Sequence, residues 1–343
     1  MRLKSLLTST AVVAAGALIL SGCAAGEGSA LQDDSASASG EWSTDTLNID
    51  FATYNPLSLI IKDQGWLEEE LDGVEVTWLQ SAGSNKANEA LRAGAVDVGS
   101  TAGSAALLAR SNGSPIQVID IYSQPEWSAI VVAADSEIAE VDDLRGKTIA
   151  ATKGTDPYFF LLQTLEEAGI GLDEVTIQNL QHADGGAALT SGAVDAWAGL
   201  DPIMATTELQ SGAKLIYRNI DFNTYGFLNA TEDFIENHAD VAQVVVNAYE
   251  KAREWAAENP DEAAEILAEY SGVEIAIADK VLNERTNLDV GEPGQQQRDV
   301  LEVVGPIFVD SGDVRSQDLI DDALDSLFND SFYAAADPDS IGE

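Results

Sequence analysis

Two stretches of the chain repeat the same order of elements. The tetrapeptide Gly-Ala-Val-Asp begins at Gly94 and again at Gly192. Around each copy, a short apolar run, a polar loop, a helical pattern and a second apolar run follow in matching order. Each glycine is typical of a helix C-terminus, because glycine tolerates the left-handed conformation there. Short β-rich runs that alternate with helical patterns indicate βαβ units. The sequence therefore predicts two related α/β lobes.

The segments between and after the repeats predict how the lobes are joined. Residues 118–122 and 129–133 predict two strands, the second of which enters the second lobe, and residues 225–230 predict the return. Two crossings make a hinge, and hinged lobes close around ligands. We expect the first lobe to comprise 46–126 and 227–343, and the second 127–226. The C-terminal third carries apolar stripes at helical spacing, which predict helices at 241–255, 260–270, 275–284, 295–310 and 316–328.

The N-terminus predicts export and anchoring. Arg2 and Lys4 precede an apolar run from Leu6 to Leu20, which is too short to span a bilayer comfortably and ends in small residues. We interpret 1–22 as a signal peptide. Cys23, the single cysteine, follows Leu-Ser-Gly, and the segment resembles a lipobox whose cysteine is acylated and becomes the mature N-terminus. Residues 23–45 then form the lipidated cysteine and a flexible tether. The expected location is the extracytoplasmic face of the cell membrane.

The charge of the chain excludes some partners. The 59 acidic and 17 basic residues give a formal net charge of −42. Such a surface repels phosphate backbones and anionic lipid headgroups. We therefore expect no nucleic-acid partner, and contact with the membrane only through the lipid anchor.

Six loops at the carboxyl ends of the predicted strands are candidates for a ligand site. Ligands of open α/β sheets bind at these ends, where loops lead into helix N-termini that attract anions. Each loop alone is also explained by helix capping, but six converging loops favour a binding cleft. They are 53–58, 81–85, 99–104, 153–158, 182–186 and 198–202. The candidate ligand-binding residues are Tyr54, Asn55, Ser81, Ser100, Thr101, Gly154, Thr155, Tyr158, Trp197 and Asp201.

Motifs for catalysis are missing from the sequence. It has no Gly-x-Ser-x-Gly elbow, no phosphate loop, no dinucleotide fingerprint and no free thiol beside Cys23. The only histidines, His182 and His238, lack metal-ligand spacing. His182 is open to two interpretations, a ligand contact or a polar loop residue. We expect a binding protein and not an enzyme, with no cofactor and no metal.

Three stretches carry a family resemblance that extends from Leu47 to Phe328. They are LRAGAVDVGST at 91–101, DLRGKTIAATKG at 143–154 and GAVDAWAGLDP at 192–202. Through them the chain resembles the aliphatic-sulfonate, taurine and nitrate group of ABC-importer substrate-binding proteins. The resemblance implies a bilobed periplasmic-binding-protein type II fold, with ligand held between Ser100/Thr101 and Gly154/Thr155.

The ligand and partners follow from the same resemblance. Trp197 and Asp201 favour the sulfonate branch, so the expected ligand is a small organic anion such as an aliphatic sulfonate or taurine. Sulfonate binders often have Gly-Ser-Thr-Gly-Asp where this chain has Gly99-Ser100-Thr101-Ala102-Gly103, so the missing carboxylate leaves nitrate or a heterocyclic vitamin precursor open. The implied partners are ABC permease subunits, with the protein a monomer. A ligand-sensing lipoprotein is the alternative role.

Replacing Cys23 tests the anchor. If the thiol is the site of acylation, Cys23→Ser releases the protein into the medium or leaves its precursor uncleaved. Detergent-phase partitioning of membranes from expressing cells measures this. A variant that is cleaved to the mature size and still partitions like the wild type contradicts the lipid anchor.

Overall fold

A computed structural model describes residues 42–342. The predicted signal peptide, Cys23 and the predicted tether up to residue 41 lie outside the described residues. No helix within 42–342 combines the length and apolarity needed to cross a membrane. The strands are β1 (Thr46–Phe51), β2 (Glu75–Gln80), β3 (Val98–Ala102), β4 (Ile116–Pro125), β5 (Ile130–Val132), β6 (Thr148–Ala151), β7 (Thr176–Asn179), β8 (Ala196–Ala198), β9 (Lys214–Tyr217), β10 (Gly226–Thr231) and β11 (Thr286–Asn287).

The helices follow the strands in the alternating order that the sequence predicts. They are α1 (Pro56–Gln64), α2 (Trp66–Glu70), α3 (Ser84–Ala93), α4 (Gly103–Ser111), α5 (Asp156–Glu167), α6 (His182–Thr190), α7 (Ile203–Ser211), α8 (Glu232–Asn237), α9 (Ala239–Glu258), α10 (Pro260–Ser271), α11 (Ile275–Asp279), α12 (Gln295–Asp310), α13 (Gln317–Leu327) and α14 (Ser331–Ala334). A π-helical turn, Lys280–Glu284, extends α11.

Two separate sheets define two lobes. The first lobe is built on a six-stranded sheet of order β11-β4-β10-β3-β1-β2, and the second on a five-stranded sheet of order β7-β6-β8-β5-β9. In each sheet the repeated strands are parallel, and the strand that the chain enters after crossing the hinge, β5 in the second lobe and β10 in the first, runs antiparallel to them. The chain passes from β4 to β5 and returns from β9 to β10. This confirms a bilobed α/β fold with a two-segment hinge.

The repeated tetrapeptide has the same structural role in both lobes. Its glycine is left-handed, with φ +65 at Gly94 and +73 at Gly192, and its valine is buried. The carboxylate of Asp97 accepts the backbone N–H of Asn48 at 2.8 Å, and that of Asp195 accepts the backbone N–H of Thr148 at the same distance. The aspartate thus ties the start of one strand to the turn before its neighbour.

Glycines in α6 explain where the prediction of loop 182–186 was wrong. These residues form the first turns of α6. Glycine lowers helix propensity by about 1 kcal/mol each, so Gly185 and Gly186 predicted a loop. A Cβ on Gly185 would lie 2.7 Å from Nε1 of Trp197, and one on Gly186 would lie 3.4 Å from the same ring. Close packing of the helix on Trp197 therefore requires glycine.

Other loop boundaries shift for a simpler reason. The predicted loop 99–104 is divided between the end of β3 and the start of α4, while α3 and α5 begin inside the predicted loops 81–85 and 153–158. Helix ends are placed by tertiary contacts as much as by propensity. The helical stretch that follows the loop 53–58 is divided into α1 and α2 at Gly65, which has φ +69. The C-terminal helices lie where the apolar stripes predict them.

The cores of the lobes are connected. One apolar cluster fills the space between the first sheet and α1, α9 and α10. A second joins α4, α12 and α13 of the first lobe to α5 of the second, with the rings of Phe159 and Phe308 4.4 Å apart. A smaller third cluster surrounds Trp197 in the second lobe. The lobes therefore share apolar packing on the α5 side.

Gly103→Ala tests the contact between α4 and the return segment. A Cβ at this position would overlap the backbone carbonyl oxygen of Thr224 and lie 2.9 Å from Cζ of Phe227. Since backbone cannot rotate away, we expect a loss of about 3 kcal/mol in the free energy of unfolding, measured by urea denaturation. Gly294→Ala is the matched control, because no described atom lies within 4 Å of its Cβ, and it should change stability by less than about 0.5 kcal/mol. Equal stability of the two variants contradicts the packing.

Candidate functional site

The carboxylate of Asp156 joins both lobes to both connecting segments. Asp156 is buried at the start of α5. Its Oδ1 accepts the hydroxyl of Ser104, at the start of α4, at 2.6 Å, and the hydroxyl of Thr224, in the return segment, at 2.6 Å. Its Oδ2 accepts the indole N–H of Trp127, in the outgoing segment, at 2.8 Å, and the backbone N–H of Thr224 at 2.9 Å. Four donors thus converge on one carboxylate.

The charge of Asp156 is held by these donors. Burial raises the pKa of Asp156, and the hydrogen bonds from Ser104, Thr224 and Trp127 act against that rise. All four bonds use the carboxyl oxygens as acceptors, which is the bonding that the ionised form prefers. Bonds to a charged group contribute about 1.5–3 kcal/mol each. The centre of the interface between the lobes is therefore a strong polar joint.

A narrow cleft of about 10 Å³, room for about one water molecule, lies beside this joint. Its apolar wall includes Tyr54 of the first lobe and Trp127, whose rings meet edge to face at 6.0 Å between centroids. Its charged wall includes Asp201 of the second lobe and Arg285, which directly precedes β11 of the first. Small-molecule sites are mostly apolar with a few convergent polar groups, and the cleft has both.

Arg285 and Asp201 form a buried ion pair between the lobes. One guanidinium nitrogen lies 3.1 and 3.3 Å from the two carboxyl oxygens of Asp201, and the other terminal nitrogen bonds Glu208 of α7. Burial raises the pKa of Asp201 to about 6, and the adjacent guanidinium lowers it in part. Because two carboxylates meet one guanidinium, the cation of the cleft is already balanced.

The N-termini of α3 and α6 meet at the other end of the interface. Gly83 precedes α3, and a Cβ there would lie 2.9 Å from both Nε2 of His182 and Oδ1 of Asn85. The Cβ of Asn85 lies 3.7 Å from where a Cβ on Gly154 would stand, and Gly154 has φ +77. Loops of both lobes are therefore in close contact, and there is no room for a side chain at Gly83.

Three serine and threonine hydroxyls of the predicted site already donate within the protein. Ser100, Thr101 and Thr155 are buried. A hydroxyl has a single proton, and each of these protons is used: Ser100 donates to Oδ1 of Asp50 at 3.0 Å, Thr101 to the carbonyl of Ala102 at 2.9 Å, and Thr155 to the carbonyl of Thr152 at 2.6 Å. These side chains shape the loops, and toward a ligand they offer oxygen lone pairs.

Three predicted residues of the first lobe lie around β1. The hydroxyl of Tyr54 donates to the carbonyl of Ser100 at 3.0 Å. The Asn55 side chain caps α1 and donates to the hydroxyl of Tyr249 at 3.0 Å. Ser81 is buried beside the carboxyl of Asp50, without a hydrogen bond of normal geometry to any described residue. Tyr54 lines the cleft, whereas Asn55 supports the loop from below.

The predicted residues of the second lobe are more dispersed. Gly154 faces Asn85, and the ring of Tyr158 lies 5.5 Å from the ammonium of Lys153. Trp197 is fully buried in the core of the second lobe, where α6 covers it. The structure therefore places Gly154 at the interface between the lobes and Trp197 behind it.

Sequence reasoning missed the contribution of Arg285. It lies far along the chain from the loops, and nothing in its local pattern distinguishes it from a surface arginine. Trp127 and Asp156 are not among the candidate ligand-binding residues either, and the sequence does not predict the hydrogen bond between them. Their signal was a tryptophan in a crossing segment and an aspartate at a helix start.

Comparison with known sequences defines the family of this chain. The chain belongs to the NMT1/THI5-like family, whose sequence model matches residues 58–263. An Escherichia coli (strain K12) protein named for the binding of aliphatic sulfonates is 26% identical over 269 residues, covering 76% of this chain and 84% of that protein.

Solved structures agree on the fold. The alkanesulfonate-binding protein SsuA from Xanthomonas axonopodis pv. citri, bound to MOPS, has a TM-score of 0.75 at 24% identity and covers 82% of this chain and 98% of its own. The periplasmic nitrate-binding protein NrtA from Synechocystis PCC 6803 has a TM-score of 0.71 at 13% identity, over 87% and 91%. This chain thus has the periplasmic-binding-protein fold. The desulfurization enzyme DszB is also similar, with a TM-score of 0.59 at 16% identity, covering 82% of this chain and 99% of its own.

The buried carboxyl of Asp50 predicts a dependence of stability on pH. Burial raises its pKa from 3.8 to about 7, although Ser81 and Ser100 act against this. Between these values the folded state keeps a proton that the unfolded state has lost, so stability falls as pH rises through about 7. In Asp50→Asn this dependence is absent. We expect the wild type to lose about 1 kcal/mol per pH unit relative to the variant between pH 5 and 7, by urea denaturation.

A matched substitution completes this test. Asp45→Asn removes an exposed carboxylate one strand-length away and controls for the loss of charge alone. If the wild type and Asp50→Asn show parallel pH profiles, the buried carboxyl does not titrate as described.

Proposed function

We propose that this protein is the extracytoplasmic substrate-binding component of an ABC importer. It holds a small organic anion between its two lobes, an aliphatic sulfonate or taurine, and delivers it to permease subunits. The meeting of helix N-termini from both lobes at their interface is the observation that carries the proposal. The similarity to proteins named for the binding of sulfonates supports the choice of ligand.

The charge preference of the site follows from those helix ends. The first N–H groups of a helix have no intrahelical partner, and the helix dipole adds positive potential there. α3 of the first lobe and α6 of the second meet directly, and Gly154 brings the start of α5 beside them. Backbone N–H groups bind anions without a net cation. This suits a cleft whose one guanidinium within the described range, Arg285, is balanced by carboxylates.

The shape of the cleft favours an organic ligand over an inorganic one. Tyr54 and Trp127 present aromatic surface to the cleft. Aromatic surface gains nothing from a nitrate ion, whereas it buries the alkyl part of a sulfonate. We therefore rank nitrate second, in spite of the similarity in fold to a nitrate-binding protein.

The proposed ligand-binding set keeps the ten residues predicted from the sequence and assigns them different roles. Tyr54 lines the apolar wall, and Gly154 and Thr155 present backbone N–H groups before α5. Asp201 positions Arg285. The other predicted residues, Asn55, Ser81, Ser100, Thr101, Tyr158 and Trp197, support these loops from behind. Trp127 and Arg285 join the set on the strength of their position in the cleft.

Anchoring and location complete the proposal. A lipid on Cys23, which lies outside the described residues, would hold the protein on the outer face of the cell membrane. Two or three acyl chains give stable attachment where one chain is reversible. In this role the protein works as a monomer beside its permease.

Ligand binding is measurable by thermal shift and fluorescence. A ligand at a hundredfold excess over its Kd stabilises the folded state by about 2.7 kcal/mol. Small alkanesulfonates and taurine should therefore raise the melting temperature and change the fluorescence of Trp127, which lies at the joint. Sulfate, nitrate and acetate complete the panel.

Gly83→Ala tests whether the junction of α3 and α6 takes part in binding. Its Cβ would meet the His182 ring and the Asn85 side chain, so the variant should be less stable than Gly294→Ala without ligand. Its shift on adding ligand, measured from its own ligand-free melting temperature, should also shrink. A panel in which no sulfonate shifts the wild type refutes the proposed ligand class.

A further inference from the structure

Unpartnered hydrogen-bonding atoms gather where α3 and α6 meet. Nε2 of His182 and Oδ1 of Asn85 are buried and have no hydrogen-bond partner among residues 42–342. The His182 side chain is 1% exposed. Both atoms point at the same loop, since each lies 2.9 Å from the Cβ position of Gly83. Buried polar atoms in folded proteins are nearly always paired, so two orphans at one junction between lobes require an explanation.

The hydrogen bonds of Thr152 fix the form of the His182 ring. The Thr152 hydroxyl donates its one proton to the carbonyl of Leu180 at 2.7 Å. Its oxygen also lies 3.2 Å from Nδ1 of His182. Because the hydroxyl proton is already used, Nδ1 must donate and the Thr152 oxygen must accept. In a neutral imidazole the other nitrogen is then a bare acceptor, so Nε2 presents a lone pair to the loop at Gly83.

The ring stays neutral at physiological pH. Burial lowers the pKa of His182 to about 3, so Nε2 cannot bind a proton from solvent and act as a donor there. Oδ1 of Asn85 is also an acceptor. With the Asn85 amide oriented so that Oδ1 lies here, one acceptor from each lobe stands beside Gly83, and two acceptors cannot pair with each other.

We propose that His182 and Asn85 are specificity determinants which together accept hydrogen bonds from an N–H group of the ligand. The inference rests on the proposed function and narrows its substrate class to small organic anions that also carry an amino group, such as aminoalkanesulfonates. The anionic end lies at the N–H groups of the helix starts, and the amino end lies between His182 and Asn85.

The two ends of such a ligand match the two kinds of group at this junction. Helix starts offer donors and positive potential, while the two side chains offer only acceptors. A plain alkanesulfonate satisfies the first set and leaves both acceptors buried and unpaired. Sites with buried polar groups reject analogues that cannot pair them. An amino group pairs both at once, because one nitrogen has several donors.

Isosteric ligands provide the test. In taurine, an ammonium group stands where propane-1-sulfonate has a methyl group. Isothermal titration calorimetry on the wild type should show taurine bound at least about tenfold more tightly, the factor expected for one charge-assisted hydrogen bond. His182→Leu removes the acceptor and should reduce that ratio toward one, while the affinity for propane-1-sulfonate is kept. His182→Gln places an amide oxygen near the position of Nε2 and should restore part of the ratio. Asn85→Leu should act like His182→Leu.

A spectroscopic readout is independent of these variants. The chain has two histidines, so ¹⁵N-labelled histidine gives two resolvable rings. Without ligand, His182 should show a protonated Nδ1 and a bare Nε2. Taurine should move the Nε2 resonance of His182, and propane-1-sulfonate should not, while His238 stays unchanged with both ligands.

The outcomes distinguish this inference from the proposed function. Equal affinity for the two ligands, or a ratio that survives both His182→Leu and Asn85→Leu, overturns the role of the two acceptors and leaves sulfonate binding intact. An unmoved Nε2 resonance at saturating taurine overturns it too, even where the leucine variants fail to fold. If neither sulfonate binds, the proposed function and this inference fall together.

Discussion

A single buried carboxylate determines how the two halves of this molecule are arranged. Asp156 takes one donor from the first lobe, one from the outgoing segment and two from the return segment, while its own backbone begins a helix of the second lobe. An ionised group costs free energy to bury unless it is fully hydrogen bonded. The orientation of both connecting segments is therefore tied to the closed arrangement, and the cleft beside them takes its shape from that joint.

The distribution of charge divides the molecule into two environments. The surface carries most of a net charge of −42, which repels anions at long range. Within the interface, the carboxyl groups of Asp156 and Asp201 accept hydrogen bonds from donors of the protein itself. In the proposed function, the backbone N–H groups at the helix starts are left for a ligand. Attraction is thus short-ranged and limited to the closed cleft. In the proposed function, recognition of the anion therefore depends on N–H groups and not on net charge.

The fold could be predicted from the sequence because its signal is local and repeated. The tetrapeptides at Gly94 and Gly192 mark equivalent turns, and their aspartates pair with Asn48 and Thr148 in the same way. The site was less predictable. Arg285 reaches the cleft only through the pairing of β11 with β4, which no local pattern encodes. The predicted start of α6 was wrong because Gly185 and Gly186, which weaken an isolated helix, are needed here for close packing against the Trp197 ring.

The order of strands places the junction of α3 and α6 far from the hinge. β2, which leads to α3, and β7, which leads to α6, are edge strands. Each lies three strands from the nearest strand that enters or leaves the hinge, or about 14 Å at ordinary strand spacing. A given rotation about the hinge would therefore displace the junction of α3 and α6 more than the residues beside the hinge. On the opposite side, the Phe159–Phe308 packing holds the lobes together through apolar contacts. If the lobes separate about the hinge, we expect the contact of Gly83 with His182 to break first.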